Sequence, residues 1–336
     1  MGFLKKIGLE PFVIMLFLSI ALAWVAPEIG IDRDPFSLSD IATWGVAGIF
    51  FFYGLRLNRD KLKAGLVNVR LHMLVHISTF VVFPLIMLAV MHLFGASSAQ
   101  GNGRYLWIGS FFLATLPSTV SSSVVMVSIA GGNIPAAIFN ASVSSLMGVF
   151  LTPVWMSLFL EKVDGANGLG EVIFKLIVQV LVSVCLGVAL NPKFGAFAEA
   201  HKKALRNFDQ TIILLIVYTS FCDSFYKKMF SGFPPTVIIE LSVCMVALFF
   251  AVYFIIGILC RLMGFNRPDT ITALFCGSKK SLVHGSVMSK VLFDNPAVIG
   301  VILLPTMLYH AYQLIVVSVL AKRFARTAAE FRREAD

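Results

Sequence analysis

The sequence has few charged residues for its length. Only 13% of its 336 residues are Asp, Glu, Lys or Arg, about half of the roughly 25% that a soluble domain carries. Hydrophobic residues make up 58% of the chain, and its mean hydropathy is +0.87. Such a chain cannot cover its surface with polar groups, so we predict an integral membrane protein whose surroundings are the lipid bilayer.

Cysteine is also scarce, and its distribution excludes several kinds of site. The five cysteines lie in apolar segments at irregular spacing, with no CxxC pair and no zinc-ligand pattern. A GxxxxGK(S/T) motif is missing too, which excludes direct ATP coupling by this chain. We therefore expect no cofactor other than a coupling ion, Na⁺ or H⁺, and interpret the cysteines as small apolar side chains.

Long apolar segments recur about ten times along the chain, each long enough to cross a bilayer. We predict an all-α polytopic membrane protein with short loops. The predicted spans lie near residues 11–27, 37–55, 72–94, 105–130, 134–159, 172–191, 208–226, 235–262, 269–292 and 296–321.

Lys and Arg are distributed unevenly between the loops. One set of alternate loops, together with both termini, carries most of them, and the opposite loops carry few. The positive-inside rule then places both termini in the cytoplasm, and we expect a bacterial inner (plasma) membrane. The net charge of +9 therefore reflects topology rather than a nucleic-acid partner. Nothing in the pattern indicates an oligomeric state.

A weak internal repeat divides the chain. Residues 134–138 and 295–299 share an Ile/Asn-Pro-Ala-x-Ile pattern at an offset of 161 residues, and upstream serines repeat at nearly the same offset. We predict a first five-helix unit at 1–160 and a second at 161–336 that ends in a basic tail. Because five crossings is an odd number, the second unit is inverted, an arrangement that many transporters share.

The fourth and ninth predicted spans carry signs of interruption near the midplane. The fourth contains Pro117 followed by a run of hydroxyl residues that compete for backbone hydrogen bonds. The ninth contains Lys279 and Lys280, each ~16 Å from either membrane surface at ~1.5 Å per helical residue. Inverted-repeat transporters place their binding site between two such discontinuous helices.

These features resemble the bile acid:sodium symporter family, in its divergent branch of symporter-like proteins. The resemblance covers nearly the whole chain and is most specific at residues 52–57, 117–153, 218–223 and 277–285. It implies a core domain in which helices 4 and 9 are discontinuous and cross, with sodium beside the crossing. It further implies a panel domain made of the first, second, sixth and seventh helices, with the substrate between the two domains.

The family's sodium ligands fall on this chain with one large departure. At the ninth helix, the family's glutamate falls on Phe275 and its Gln-Asn pair falls on Lys279 and Lys280. Two cations thus stand where the family has neutral oxygen ligands, which leaves a sodium site uncertain. Another ligand position falls on Thr79, and a Ser-Asn pair falls on Ser123 and Val124 or, if the gap moves, on Ser122 and Ser123. The hydroxyl ligands of the following helix fall near Ala137 and Ala141, beside Asn140 and Ser142.

Three roles are open for the lysine pair. An ammonium group can replace a bound cation, bind an anionic substrate, or exchange a proton during transport. His284 lies one turn beyond Lys280 and can share protons with the pair. Asp223 can contact substrate, act as a counter-ion for a lysine, or form an interfacial salt bridge. The full set of candidate ion- or substrate-binding residues is Thr79, Ser121, Ser122, Ser123, Asn140, Ser142, Asp223, Lys279, Lys280, Ser281 and His284.

The function that this pattern favours is secondary active transport of a small organic anion by alternating access, coupled to sodium or protons. A membrane regulator of ion homeostasis that keeps the transporter fold without moving solute is the alternative. A Ser–Lys hydrolase built on Ser281 and Lys280 is disfavoured because adjacent helical residues do not face each other. We therefore predict that the protein is not an enzyme.

Overall fold

The protein is described here by a computed structural model that covers residues 11–31, 37–57, 68–94, 101–164, 180, 182–231 and 233–335. The regular elements in these residues are all helical, which confirms the all-α prediction for this part of the chain. In chain order the α-helices are α1 (Pro11–Val25), α2 (Leu38–Leu55), α3 (Val69–Ile77), α4 (Phe83–Leu93), α5 (Gly103–Thr115), α6 (Ser121–Ala130), α7 (Ile134–Asp164), α8 (Ser183–Ala200), α9 (Lys202–Tyr226), α10 (Pro235–Leu262), α11 (Arg267–Gly277), α12 (Leu282–Leu292) and α13 (Pro296–Ala335).

Among the described residues, five helical stretches are long and apolar enough to cross a membrane. The predicted fourth and ninth spans are not among the five, because each is divided into two shorter helices of 10 to 13 residues. Helix α1, with 15 residues, is also short, and most of the first half of the predicted sixth span lies outside the described residues. The five stretches are Leu38–Leu55, Val69–Leu93, Ile134–Phe159, Pro235–Leu262 and Pro296–Thr327.

Large apolar side chains cover the outer surface. Trp44 is 80% exposed, Leu262 is 78% exposed and Val25 is 73% exposed. A soluble monomer does not present so many large apolar side chains to water. This surface fits the lipid environment that the composition predicts, and the protein is an integral membrane protein.

Helices α1, α2, α8 and α9 pack together, and we call them the panel group. Helices α2 and α8 approach most closely at Gly54 and Gly187, where a Cβ on either glycine would collide with backbone of the other helix. An ion pair between Arg56 and Asp209, with 2.7 Å between nitrogen and oxygen, links the end of α2 to α9.

The remaining helices, α3–α7 and α10–α13, form what we call the core group, with α13 packed against α5, α6, α10 and α12. The close approach of α5 and α13 occurs at Gly109, whose missing side chain leaves room for the backbone of Ile302. The panel group contacts the core group mainly through α9 and α13. There, the Ser224 hydroxyl donates a hydrogen bond to the carbonyl oxygen of Ala297.

A π-helical turn at Ser78–Val82 separates α3 from α4, directly before Pro84. The N–H of Phe83 donates to the carbonyl of Ser78, five residues back. Pro84 has no N–H, so the carbonyl of Phe80, four residues before it, lacks the donor that an α-helix would supply there. The indole N–H of Trp155 donates to that oxygen at 2.8 Å. Turns of this kind often mark functional sites.

Candidate functional site

The two helix breaks touch each other inside the core group. Helix α5 ends at Thr115, because Leu116 precedes a proline and takes an extended conformation. Helix α11 ends at Gly277, and α12 begins after Ser281. The Ser281 N–H donates a 2.9 Å hydrogen bond to the carbonyl of Pro117, which joins one break to the other.

The Lys280 side chain is 1% exposed, and its ammonium group lies among backbone carbonyls from the first half of the chain. The Nζ atom is 2.7 Å from the Thr79 oxygen, 2.6 Å from the Ala114 oxygen and 2.9 Å from the Leu116 oxygen. It also lies 4.1 Å from the ring centroid of Phe83, a cation–π distance. We call these three oxygens the carbonyl cage.

Two prolines explain why oxygens of the cage are free to accept. The Thr79 oxygen loses both helical donors, because the Phe83 N–H bonds to Ser78 and Pro84 has no N–H. The Ala114 oxygen lacks helical N–H donors for a similar reason. Pro117, three residues on, has no N–H, and the Ser118 N–H donates to Ser144 Oγ at 3.0 Å. Without the ammonium, these buried oxygens would have no described donor, which is costly in an apolar interior.

The backbone of the second break is held from α13. Gln313 Oε1 accepts from the Lys280 N–H at 2.8 Å, and Gln313 Nε2 donates to the Lys280 oxygen at 2.7 Å. The Gln313 amide also lies 2.8 Å from His310 Nδ1. The Tyr309 hydroxyl donates to the Ser278 oxygen at 2.7 Å. Lys280 is therefore fixed at its backbone as well as at its ammonium group.

Lys279 points to a different set of groups. Its side chain is fully buried, and its Nζ donates to Ser122 Oγ at 2.7 Å. Ser122 in turn lies 2.9 Å from the Thr119 hydroxyl, which lies 3.0 Å from the Ser123 hydroxyl. These hydroxyls stand at the N-terminus of α6, where helical N–H groups face outward. We call Lys279 with Thr119, Ser122 and Ser123 the hydroxyl cluster.

The other candidate residues have separate partners. The Thr79 hydroxyl donates to the Val75 oxygen at 2.8 Å, so Thr79 faces Lys280 with its carbonyl rather than its side chain. Asn140 lies 3.1 Å from His72 Nδ1 and donates to the Ala136 oxygen. The Ser142 carbonyl accepts from the Tyr53 hydroxyl at 2.8 Å. The structure thus groups Asn140 with His72 rather than with either lysine.

Two candidates, Ser281 and His284, lie near the boundary between the core group and the panel group. The Ser281 hydroxyl caps α12 and lies 3.0 Å from His284 Nδ1. The His284 ring packs against Phe50 and Tyr53 of α2, so it stands where the core group meets the panel group.

The two remaining candidates are Asp223 and Ser121. Asp223 is near the end of α9, next to Ser224, which contacts the start of α13. The eleven residues of α12, ~16 Å at ~1.5 Å per residue, separate the start of α13 from the lysine break. Ser121 begins α6, and its side chain lies outside the described part of the structure.

The sequence analysis did not predict a hydrogen-bond network around a carboxylate at one end of the core group. The Asp269 side chain accepts from Asn68 Nδ2 at 2.7 Å and from Asn133 Nδ2 at 2.8 Å. Asn68, Asn133 and Asn266 cap the N-termini of α3, α7 and α11, respectively. One carboxylate thus joins three helix starts, and we call these four residues the Asp269 clamp. An Asn before each apolar run was the available signal.

Comparison with known proteins identifies the family of this chain. A family model described as the SBF-like CPA transporter family matches residues 10–326. The chain is 39% identical over 317 residues to an uncharacterized protein of Pseudomonas aeruginosa, covering 94% of this chain and 93% of that one. It is 36% identical over 327 residues to "Putative symporter YfeH" of Escherichia coli, covering 96% and 95%. It is 29% identical over 322 residues to "Sodium/bile acid cotransporter 7-A" of Xenopus laevis, covering 95% and 93%.

These matches span almost the full length of each relative, so they concern the whole helical assembly rather than one segment. They confirm the resemblance to symporters that the sequence indicated, and the family and its named relatives are transporters rather than enzymes. The chain belongs to the SBF-like CPA transporter family.

Proposed function

We propose that this protein is a secondary transporter that moves a small organic anion by alternating access, driven by a sodium or proton gradient. The observation that carries the proposal is the hydroxyl cluster, where a buried ammonium meets hydroxyls at a helix start. Lys279 Nζ lies 2.7 Å from Ser122 Oγ at the N-terminus of α6. An ammonium, hydroxyl donors and helical N–H groups are the partners that carboxylate, sulfate and phosphate groups bind.

The helix spacing supports an inverted repeat with units at 1–160 and 161–336. Helices α9, α10, α11, α12 and α13 begin 164, 166, 164, 161 and 162 residues after α2, α3, α5, α6 and α7. Near-constant offsets are expected when one unit is duplicated. In this arrangement, the panel group moves against the core group, and each helix break comes from one repeat.

The position of His284 supports a substrate path between the two groups of helices. Its ring lies against Phe50 and Tyr53 of the panel group, and its Nδ1 lies 3.0 Å from Ser281 Oγ at the break. A substrate held at the hydroxyl cluster would lie near this boundary. We propose that both termini face the cytoplasm of a bacterial inner membrane, with the Asp269 clamp at the same end as the basic loops.

The test is anion transport in proteoliposomes. Taurocholate, a steroid sulfate and fumarate are offered in turn under an inward sodium gradient, an inward proton gradient or neither. We expect accumulation of at least one anion by the native protein. Lys279→Gln removes a charge-assisted contact worth ~1.5–3 kcal/mol, so the KM of that anion should rise ~10- to 150-fold.

Lys290→Gln is the matched control. Lys290 lies near the far end of α12, with its Nζ 2.9 Å from Ser39 Oγ, and its replacement should leave KM within about twofold. An unchanged KM in Lys279→Gln would contradict the anion role of the hydroxyl cluster. If the native protein transports none of the three anions, the regulator without solute transport becomes the better description.

A further inference from the structure

We propose that the Lys280 ammonium is a built-in cation that permanently fills a monovalent-cation site at the crossing of the two helix breaks, so that the protein needs no bound sodium there. The site is the carbonyl cage with the Phe83 ring. The proposal rests on the proposed function only for its consequence on coupling, since the cage is a feature of the folded protein whatever is transported.

The number of hydrogen-bond partners distinguishes Lys280 from a lysine that binds a substrate. A lysine ammonium has three N–H donors and no acceptor. The carbonyl cage offers three oxygens at 2.6, 2.7 and 2.9 Å, so each donor has one partner. A neutral amine would direct its lone pair at one of these oxygens. The contacts therefore fit a charged group that has no donor left for an anion.

The chemistry of the cage is that of a cation site. Backbone carbonyls replace the hydration shell of a monovalent ion in selective channels. Two of the oxygens, from Ala114 and Leu116, lie at the C-terminal end of α5, where the helix dipole is negative. The Phe83 ring, 4.1 Å from Nζ, adds the negative face of its π system. A second cation would meet an ammonium already in place.

The two adjacent lysines thus have different roles. Lys280 is bound by main-chain oxygens of the π-helical turn and of the C-terminal end of α5, which cannot be exchanged without moving these segments. Lys279 contacts Ser122, whose hydroxyl can donate or accept and can turn toward a ligand. Consequently, sodium does not couple to transport through the crossing of the two helix breaks.

The experiment replaces the tethered ammonium with a free one. Lys280→Ala removes the atoms of n-propylammonium, so this amine should occupy the vacated position. We expect the thermal unfolding temperature of the purified variant to fall by at least ~5 °C, because buried carbonyls lose their donors. Adding 50 mM n-propylammonium should restore at least ~3 °C of that loss. The uncharged isostere 1-propanol should restore none of it.

A second test uses the native protein and needs no variant. Its unfolding temperature is measured in equal concentrations of sodium, potassium and choline chloride, and we expect the three values to agree within ~1 °C. A sodium-specific rise would overturn the proposal, even if Lys280→Ala fails to fold. Equal rescue by 1-propanol, or a Lys280→Ala protein as stable as the native one, would overturn it as well.

These readouts are independent of transport. If no anion is transported but the native protein ignores sodium and n-propylammonium rescues Lys280→Ala, the built-in cation stands and the proposed function fails. If anions are transported and accumulation requires sodium that also stabilises the native protein, the proposed function stands and the built-in cation fails.

Discussion

The Asp269 clamp allows a stability prediction whose size follows from its contacts. Asp269→Ala removes two hydrogen bonds to a carboxylate, at 2.7 and 2.8 Å, each worth ~1.5–3 kcal/mol. The amides of Asn68 and Asn133 are only half-buried, so water recovers part of this energy. We expect a net loss of ~2–4 kcal/mol, which corresponds to ~4–8 °C at about 2 °C per kcal/mol for a chain of this size.

Asp40→Ala is a closely matched control. Asp40 occupies the same position in α2 that Asp269 occupies in α11, three residues after the capping residue, and its N–H donates to Ser37 Oγ. It is exposed, and within the described part of the structure its replacement removes only the interaction of its charge with the helix dipole, worth ~0.3–1 kcal/mol. Its unfolding temperature should fall by less than ~2 °C.

Unfolding can be followed in detergent with a thiol-reactive fluorescent dye, because Cys222, Cys260 and Cys276 are buried in the folded protein. Their labelling should rise as the core group opens, above the background from the exposed Cys185 and Cys244. Equal shifts for Asp269→Ala and Asp40→Ala would refute the claim that the bridging amides, rather than the helix dipole, give Asp269 its effect.

Two further changes probe other contacts by the same assay. Gln313→Leu leaves the N–H and carbonyl of Lys280 without their partner, at ~1–3 kcal/mol each, so the unfolding temperature should fall by ~4–12 °C; a fall of less than ~2 °C would contradict this role. Gly187→Ala places a Cβ against the Phe51 carbonyl and must push α2 away from α8, at a cost of ~1–3 kcal/mol. Gly257→Ala is its control, since the Cβ there meets its nearest neighbour at 3.8 Å and should leave stability unchanged or slightly higher.

Part of the fold could be predicted because hydropathy and proline act locally. The apolar runs gave the positions of the long helices, and α10 begins and ends as predicted, at Pro235 and Leu262. Pro117 interrupts the fourth span because the residue before it cannot remain helical. The interruption near Lys279 was likewise visible, since charged and small residues stand in the middle of an apolar run.

The different contacts of Lys279 and Lys280 could not be predicted from the sequence, because those of Lys280 are to backbone atoms far away in the chain. Lys280 binds the oxygens of Thr79 and Leu116, which lie 201 and 164 residues away in sequence. Thr79 was expected as an ion-binding residue, and its carbonyl rather than its side chain is the contacting group, freed by the π-helical turn before Pro84. A residue-type pattern reports side chains and cannot report which main-chain oxygens a kinked helix leaves open.

The Asp269 clamp shows a similar limit. An Asn that precedes an apolar run predicts a helix cap, and each of the three caps can be found locally. The convergence of Asn68 and Asn133 on the Asp269 carboxylate depends on how three helices pack, which no spacing in the sequence encodes.

The carbonyl cage also has a consequence for biosynthesis. Its oxygens belong to residues 79–116, and the cation that satisfies them is made at least 164 residues later. During synthesis the ribosome must therefore deliver the first helices with unmatched polar atoms deep in the bilayer, and a chain that stops before residue 280 keeps them unmatched. Insertion of the lysine break then completes both halves at once.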